Sequence, residues 1–308
     1  MIRDAFGRPV NSLRVSVTQK CNFNCFFCHR EGVNYNTSIE MTPLEIERIV
    51  KAIAPFGINN VKLTGGEPLL RNDILEIIKK ISSIPLIREI AMTTNGLHLD
   101  QLAKPLKDSG LKRVNVNLCT LKPTIYKTIT GTNQIELVLD GIKEAGKAGL
   151  SPIKVNMVVL KGVNEEQIWD MIDFARKNGL ILQLIEFESP TDKDFYYVKY
   201  HTDLTKIETE LTKIANKIFV RKMQNRKKFY LTNGVEVEIV KPMHNTEFCR
   251  SCNKMRISSD GKFKPCLFRN DNLVDFLKLL RKEDSDEVLK NLFLEAISNR
   301  KPYFIKVP

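Results

Sequence analysis

The sequence predicts an α/β fold, with an open parallel sheet of six βα units followed by a smaller C-terminal α+β module. Short runs rich in Val, Ile, Leu and Thr alternate with longer amphipathic stretches up to about residue 187. This alternation is typical of parallel strands joined by right-handed crossovers. Six units are too few for a closed eight-stranded barrel, which takes about 250 residues. A partial, open barrel and a doubly wound sheet both remain.

The six strands are predicted at residues 13–18, 61–64, 89–94, 113–119, 153–159 and 181–187. Two of the helices between them have start signals. Thr42-Pro43-Leu44-Glu45 is typical of a capping box with proline at the first helical position, and Asn164-Glu165-Glu166-Gln167 predicts a second box. In either arrangement of the sheet, we expect the chemistry at the C-terminal ends of the strands, where the loops converge.

The pattern changes after about residue 204, so we divide the chain into residues 1–204 and a C-terminal module of residues 205–308. Asn233-Gly234 predicts a hairpin turn in this module, and Asp260-Gly261 predicts a second turn. The module is predicted to contain helices at residues 204–218, 273–281 and 287–298, and short strands at residues 229–231, 235–240, 256–258 and 263–265.

Composition excludes several classes of protein. With 308 residues and 43% hydrophobic side chains, the chain is too apolar for a disordered protein and long enough to bury a core without disulfides. No apolar run approaches the roughly 18 to 20 residues of a membrane span, and no apolar segment follows Met1. We therefore expect a cytoplasmic protein with no membrane partner. The net charge of +12 is typical of a protein with an anionic partner, such as nucleic acid or a phosphorylated small molecule, and equally of a lysine-rich solvated surface without a specific partner.

Six of the seven cysteines form two groups with close spacing. Cys21, Cys25 and Cys28 directly follow the first strand, and Cys249, Cys252 and Cys266 lie in the C-terminal module. Close thiolates suit either zinc or an iron–sulfur cluster. Closed structural zinc takes four ligands, whereas a cluster held by three cysteines leaves one iron open to a substrate or cofactor.

Two histidines keep the zinc interpretation available, because His29 and His244 could each supply a fourth ligand. The seventh cysteine, Cys119, is predicted to be a buried core residue.

A glycine-rich loop follows the second predicted strand. Gly65 and Gly66 allow the backbone to approach a ligand closely, and Glu67 offers an acceptor for an ammonium group. Because this loop and the loop of Cys21 both follow strands of one sheet, we expect them to be neighbours.

These motifs resemble known families. Cys21-x3-Cys25-x-Phe27-Cys28, followed by Gly65-Gly66-Glu67-Pro68, resembles the radical S-adenosylmethionine enzymes. The cysteines and flanking residues at positions 248–268 resemble the C-terminal cluster loop of the GTP 3′,8-cyclase family of molybdenum cofactor biosynthesis.

The resemblance implies a partial (βα)6 TIM-like open barrel and two [4Fe–4S] clusters, one on each cysteine triad. It implies that the open iron of the first cluster binds S-adenosylmethionine, whose reductive cleavage gives a 5′-deoxyadenosyl radical. This radical would abstract hydrogen from C3′ of GTP, and attack on C8 would give (8S)-3′,8-cyclo-7,8-dihydroguanosine 5′-triphosphate, an early molybdopterin precursor. The second cluster would bind the guanine edge.

The resemblance also implies site residues and partners. Three residues would contact S-adenosylmethionine, namely Phe27, Gly66 and Asn117. The GTP contacts would be Arg14, Lys62, Thr93, Lys154, Lys254 and Arg256. The implied partners are GTP, an external one-electron reductant and a downstream cyclic pyranopterin synthase, while a homodimer is neither required nor excluded.

The chain departs from the family pattern at several positions. The family commonly has serine at Asn117, aspartate at Cys119, arginine at Gln183 and Lys254, and methionine at Glu188. The printed sequence ends in Lys306-Val307-Pro308 without the family's Gly-Gly tail. We expect either that another basic group replaces this tail or that catalysis is less efficient.

Two alternative functions stay open. The first is a radical S-adenosylmethionine enzyme with an auxiliary cluster that acts on a peptide, and the second is a basic zinc protein that binds RNA. The second cysteine signature and the strand-end cations favour a nucleotide substrate over a peptide. The zinc interpretation needs four ligands per metal and leaves the glycine loop unexplained, so we expect no nucleic-acid partner.

Overall fold

A single twelve-stranded sheet organises the molecule. The computed structural model describes residues 1–191, 193–282 and 285–305. Within these ranges the sheet has the strand order β12-β11-β10-β1-β2-β3-β4-β5-β6-β9-β8-β7. The six predicted N-terminal strands are all present, parallel and adjacent in chain order. They are β1 (Ser12–Ser16), β2 (Asn60–Thr64), β3 (Glu89–Thr94), β4 (Arg113–Asn117), β5 (Lys154–Val159) and β6 (Ile181–Glu186).

The C-terminal strands extend this sheet at both edges. Strand β9 pairs in parallel with β6, and β10 pairs in parallel with β1. The C-terminal strands are β7 (Ala215–Val220), β8 (Lys227–Leu231), β9 (Glu236–Val240), β10 (Lys254–Ile257), β11 (Lys262–Lys264) and β12 (Val274–Asp275). The boundary between two domains at residue 204 stays a prediction, and the sheet contains strands from both sides of it.

Helices cover the apolar face of the sheet. In order they are α1 (Pro43–Ile53), α2 (Ile74–Ser82), α3 (Leu99–Asp108), α4 (Pro123–Thr130), α5 (Ile135–Lys147), α6 (Ile168–Lys177), α7 (Phe195–Tyr200), α8 (Thr205–Ile214), α9 (Thr246–Arg250), α10 (Leu277–Lys282) and α11 (Asp286–Ser298). No helix of the described ranges is long and apolar enough to cross a membrane.

The predicted capping box is confirmed at one helix and is wrong at another. The Thr42 capping box is present, with reciprocal bonds to Glu45. The second box is absent, because the Asn164 side chain accepts the Leu160 N–H and donates to the carbonyl of Cys119 instead. The prediction of one helix over residues 204–218 is also wrong, since α8 ends at Ile214 and the next residues pair with β8.

Strand alternation separates apolar from polar side chains. Leu13 and Val15 of β1 are fully buried in the core beneath the helices, whereas Arg14 lies on the opposite face. Successive side chains of a strand point to opposite faces, so the same alternation in the neighbouring strands forms a continuous polar face. This polar face carries the candidate site.

A buried ion triad ties the two ends of the described chain together. Asp4 Oδ2 lies 2.8 Å from Arg8 Nε and 3.0 Å from Arg300 Nη1. The side chains of Asp4 and Arg300 are completely inaccessible to solvent. One carboxylate therefore holds two arginines from opposite ends of the chain in one buried cluster.

Replacing Asp4→Ala should destabilise the protein by about 3–5 kcal/mol, because two buried guanidinium groups would lose their carboxylate. A matched control is Asp140→Ala, which removes an exposed pair with Lys143 on α5 and should change stability little. Chemical unfolding of both variants measures the difference. Equal unfolding midpoints for the two variants would contradict the structural role of the triad.

Candidate active site

One cavity of about 700 Å³ lies on the polar face of the sheet. This volume is within the usual range of ligand sites. All fifteen residues predicted from the sequence as site residues line it. They are Cys21, Cys25, Cys28, Cys249, Cys252, Cys266, Phe27, Gly66, Asn117, Arg14, Lys62, Thr93, Lys154, Lys254 and Arg256.

The first cysteine triad lies on the loop that follows β1. Cys21 Sγ accepts a hydrogen bond from the backbone N–H of Phe23 at 3.5 Å, and Cys28 Sγ accepts one from Arg30 at 3.4 Å. Such donors favour a charged sulfur, as an iron–sulfur ligand requires. Burial raises the pKa of both thiols. These cysteines therefore ionise most readily when a bound cation or cluster compensates their charge.

The glycine-rich loop after β2 packs directly against the loop of the first triad. A Cβ atom at Gly66 would overlap the carbonyl oxygens of Lys20 and Gln19. Gly65 has a φ of 153°, and a Cβ there would overlap the carbonyl of Thr18. The absence of side chains thus permits the close approach of the two loops that the sequence predicted.

Glu67 has a structural role beside the predicted one. Its carboxylate accepts hydrogen bonds from Thr94 Oγ1 at 2.6 Å, Asn95 N at 2.6 Å and Leu69 N at 3.0 Å. Burial raises the pKa of this carboxyl to about 7. Both oxygens therefore tie the glycine loop to the end of β3. Glu67 also lines the cavity, and its role as an acceptor for an ammonium group stays a prediction.

The second triad lies on and after α9, beside the buried arginines. Arg8 Nη1 donates to the carbonyl of Cys249 at 3.0 Å, and Arg300 Nη2 donates to that of Cys252 at 2.8 Å. Burial alone would raise the pKa of Cys252, but Arg300 and Lys254 outweigh it and lower that pKa. Burial raises the pKa of Cys249 and of Cys266, so the cationic surrounding stabilises thiolate charge at Cys252 in particular.

Aromatic side chains close the second triad on another side. The backbone N–H of Phe304 donates to Cys249 Sγ at 3.4 Å. The ring of Tyr303 lies 5.2 Å from that of Phe268, and its hydroxyl donates to the carbonyl of Pro190 at 2.7 Å. Phe268 and Tyr303 both line the cavity.

A buried carboxylate links the two triads. Glu31 follows the first triad, and its Oε1 accepts from Thr64 Oγ1 at 2.7 Å and lies 3.4 Å from Arg14 Nη1. Its Oε2 pairs with Arg256. Burial opposes ionisation, but the two arginines outweigh it and lower the pKa of Glu31 to about 2. This charged group therefore orients two of the cations that the sequence assigned to GTP.

Positive charge exceeds negative charge around the cavity. Among the described residues, ten basic and five acidic side chains line it. Lys62 Nζ donates to Asn115 Oδ1 at 3.0 Å, and Lys254 Nζ donates to Gln224 Oε1 at 2.9 Å. Burial and nearby cations lower the pKa of Lys62 well below its ordinary value. An anionic ligand would relieve this repulsion.

Of the two histidines that could complete zinc sites, one lies at the cavity. His29 lines the cavity, and its buried Nδ1 has no hydrogen-bond partner within the described residues. His244 packs against the ring of Phe304 at 5.0 Å instead. Across the described ranges, no three His, Cys, Asp or Glu side chains are arranged to hold a single metal ion.

Three of the positions that depart from the family pattern line the cavity, namely Gln183, Glu188 and Cys119. Cys119 is nevertheless 4% exposed and packs against Ile129, Leu160 and Phe187, as predicted for a buried cysteine. Residues 306–308, to which the expectation about the Gly-Gly tail refers, lie outside the described residues.

Sequence reasoning missed the carboxylates that organise this site. Glu31 follows Cys28 by three residues and gave no local signal, because its partners Arg14 and Arg256 lie on strands far away in the sequence. Glu238 alternates with valine and isoleucine in a predicted strand, which indicates a charge directed to one face of the sheet. Arg221 and Arg226 belong to a basic stretch that the sequence does show, with seven lysines and arginines and no acidic residue between Leu211 and Val235. Their pairing with Glu238 gave no local signal, since it depends on the position of β9.

Replacing Gly66→Ala should lower the thermal unfolding midpoint, because the added methyl group would displace the backbone before Cys21. The matched control is Gly146→Ala in α5, where the nearest atom is Ile153 Cδ1 at 3.8 Å. That change should keep or raise the midpoint, since alanine favours a helix over glycine. A Gly66→Ala variant that unfolds at the wild-type temperature would refute the close packing of the two loops.

Two family models match the chain. The model of the Radical SAM superfamily covers residues 15–175, and the model named Molybdenum Cofactor Synthesis C covers residues 180–305.

Similar solved structures agree with the architecture. Streptococcus suis SuiB bound to S-adenosylmethionine has a TM-score of 0.67 and 20% identity over 91% of this chain and 65% of its own, so the chain spans less than two thirds of that structure. The structure of anSMEcpe with bound AdoMet has a TM-score of 0.58 and 15% identity over 90% of this chain and 82% of its own. These likenesses confirm the predicted partial barrel.

Curated relatives match over their whole length. A protein of Thermococcus kodakarensis, named "Probable GTP 3′,8-cyclase", is 50% identical over 99% of this chain and 100% of its own. One of Methanothermobacter marburgensis with the same name is 48% identical over 98% of this chain and 99% of its own. Identity of this extent places the chain in the GTP 3′,8-cyclase family of the radical S-adenosylmethionine superfamily.

Proposed function

We propose that this protein catalyses the radical cyclisation of GTP to (8S)-3′,8-cyclo-7,8-dihydroguanosine 5′-triphosphate, an early step of molybdenum cofactor biosynthesis. One observation carries the proposal. Two cysteine triads and a set of buried cations line the same cavity, in a chain of the GTP 3′,8-cyclase family.

The first triad would hold a [4Fe–4S] cluster. Its sulfur atoms accept backbone N–H bonds, which suit cluster ligands. When bound and reduced, such a cluster would supply the one electron that cleaves the S–C5′ bond of S-adenosylmethionine, which gives methionine and a 5′-deoxyadenosyl radical. Phe27, Gly66 and Asn117 line the cavity where they can bind this cofactor.

The second triad would hold a second [4Fe–4S] cluster, which we place beside the guanine of GTP. The cationic surrounding of Cys252 and the N–H bond to Cys249 suit thiolate ligands there. Because three cysteines serve a cluster of four irons, one iron would stay open to the substrate.

The cations orient the nucleotide. We assign GTP contacts to Arg14, Lys62, Thr93, Lys154, Lys254 and Arg256, all of which line the cavity. Glu31 holds Arg14 and Arg256 in place before substrate enters, so less ordering remains to be done on binding. The rings of Phe268 and Tyr303, which pack against each other at the cavity, would help to exclude water and so protect a radical from side reactions.

The partners follow from this chemistry. We propose GTP as substrate, an external one-electron reductant, and a cyclic pyranopterin synthase as the enzyme that consumes the product. We also propose a cytoplasmic location without a membrane partner. This chemistry neither requires nor excludes a homodimer.

Anaerobic reconstitution with iron and sulfide, followed by dithionite with S-adenosylmethionine and GTP, tests the proposal. We expect about eight irons per chain, from two four-iron clusters, and 5′-deoxyadenosine that forms only when GTP is present. Two tightly bound zinc ions without cleavage would contradict it. Cleavage that depends on a peptide instead of GTP would support the peptide-modifying alternative.

Replacing Cys266→Ser should weaken GTP binding and turnover strongly while leaving the binding of S-adenosylmethionine intact, because Cys266 belongs to the second triad alone. Equilibrium dialysis of both ligands and the iron content measure the effect. Cys119→Ser is the comparison variant, since that cysteine belongs to neither triad and packs with Ile129 and Phe187, although it also lines the cavity. Unchanged GTP turnover in Cys266→Ser would refute the role given to the second triad.

A further inference from the structure

A second buried carboxylate lies behind the cavity wall and binds four side chains. Glu238 on β9 is completely buried. Its Oε2 accepts from Lys154 Nζ at 2.8 Å and from Gln183 Nε2 at 2.6 Å. Its Oε1 accepts from Arg221 Nη1 at 2.8 Å and lies 3.2 Å from Arg226 Nε. One carboxylate thus collects three cations.

The topology brings these cations to the cavity from both halves of the chain. Lys154 begins β5 of the N-terminal sheet, whereas Arg221 and Arg226 flank the connection between β7 and β8. All three cations line the cavity, whereas Glu238 does not. The carboxylate therefore binds the three cations without itself lining the cavity, and it leaves the cationic groups at the cavity surface.

The charge of this group is unbalanced. Within the described residues, Glu238 is the one carboxylate that forms an ion pair with Lys154, Arg221 or Arg226. The adjacent Lys228 has its own partner, Glu236, at 2.5 Å. Three cations with one carboxylate leave an excess of positive charge in a partly buried site, and such an excess favours an anionic ligand.

Arg226 also keeps unused donors. Its side chain is nine-tenths buried. Nε approaches Glu238 as an ion pair, but it has no hydrogen bond of good geometry within the described residues. A buried donor without an acceptor is rare in a folded protein, and a ligand oxygen would satisfy it.

We propose that Arg221 and Arg226 bind the β- and γ-phosphates of GTP together with Lys154, and that Glu238 is a positioning residue that holds the three cations. This inference rests on the proposed function and deepens it, because it assigns part of the phosphate site to the β7–β8 connection. Guanidinium groups suit this task, since they bind phosphate oxygens through two N–H donors at once.

The test compares GTP with GMP on reconstituted protein, by anaerobic equilibrium dialysis without reductant. Arg226→Ala should weaken GTP binding by about tenfold or more, the usual size for a lost charged hydrogen bond. GMP binding should change by less than about twofold, because GMP lacks the β- and γ-phosphates. Arg221→Ala, at a more exposed site, should likewise weaken GTP binding more than GMP binding. This variant replaces Arg226→Ala in the test if Arg226→Ala does not fold.

Lys227→Ala is the matched control, since it removes a neighbouring cation of β8 that pairs with Glu208 and does not line the cavity. It should bind both nucleotides like the wild type. Equal losses of GTP and GMP in Arg226→Ala, or no loss, would overturn the phosphate assignment.

Glu238→Gln tests the positioning role, and it should reduce the preference for GTP over GMP in the same assay. A wild-type preference in this variant would overturn that role. The formation of 5′-deoxyadenosine by the wild-type protein with GTP, measured alongside, distinguishes a failure of the proposed function from a failure of this inference. If it is absent, the proposed function fails, whereas a normal wild type with an unaffected Arg226→Ala refutes this inference alone.

Discussion

The parallel pairing of β10 with β1 is the constraint on which the rest of the site depends. It places Arg256 in register with Arg14, and Arg14 is in turn in register with Lys62 on β2. The same pairing sets the second cysteine triad next to the loop that carries the first. Without this pairing, the two triads would not line one common cavity.

Two buried carboxylates make this arrangement electrostatically stable. Glu31 joins Arg14 to Arg256 near the triads, and Glu238 joins Lys154 to two arginines at the other side of the cavity. Like-charged groups repel strongly in a site of low dielectric, so each carboxylate reduces the cost of keeping several cations together. The excess positive charge that remains is suited to a triphosphate.

The periodicity of the sequence predicted the six parallel strands, because strand alternation and capping signals are local. The cysteine spacing predicted which thiols group together for the same reason. The attachment of the C-terminal strands to both sheet edges was beyond such reasoning, since the pairing of residues 254–257 with residues 12–15 spans most of the chain. Glu31 and Glu238 were missed because their partners lie on distant strands. The helix predicted through residue 218 failed because pairing with β8 overrides local helical preference.

Gln183 illustrates how this chain accommodates a departure from its family. Its amide donates to Glu238 and accepts from Asn115, so it connects the two polar networks of the cavity without adding charge. The arginines of the β7–β8 connection supply positive charge on the same wall. On the proposed assignment, the phosphate site keeps its positive charge, while the residues that provide it lie on the β7–β8 connection instead of on β6.

We propose that one cavity holds S-adenosylmethionine and GTP in contact. Deuterium transfer from GTP labelled at C3′ to S-adenosylmethionine on the reconstituted, reduced protein is the most direct test. The deuterium should appear in the 5′-deoxyadenosine product, as read by mass spectrometry. Unlabelled 5′-deoxyadenosine formed in the presence of labelled GTP would rule out this arrangement, because the radical would then have reacted with something other than C3′ of the nucleotide.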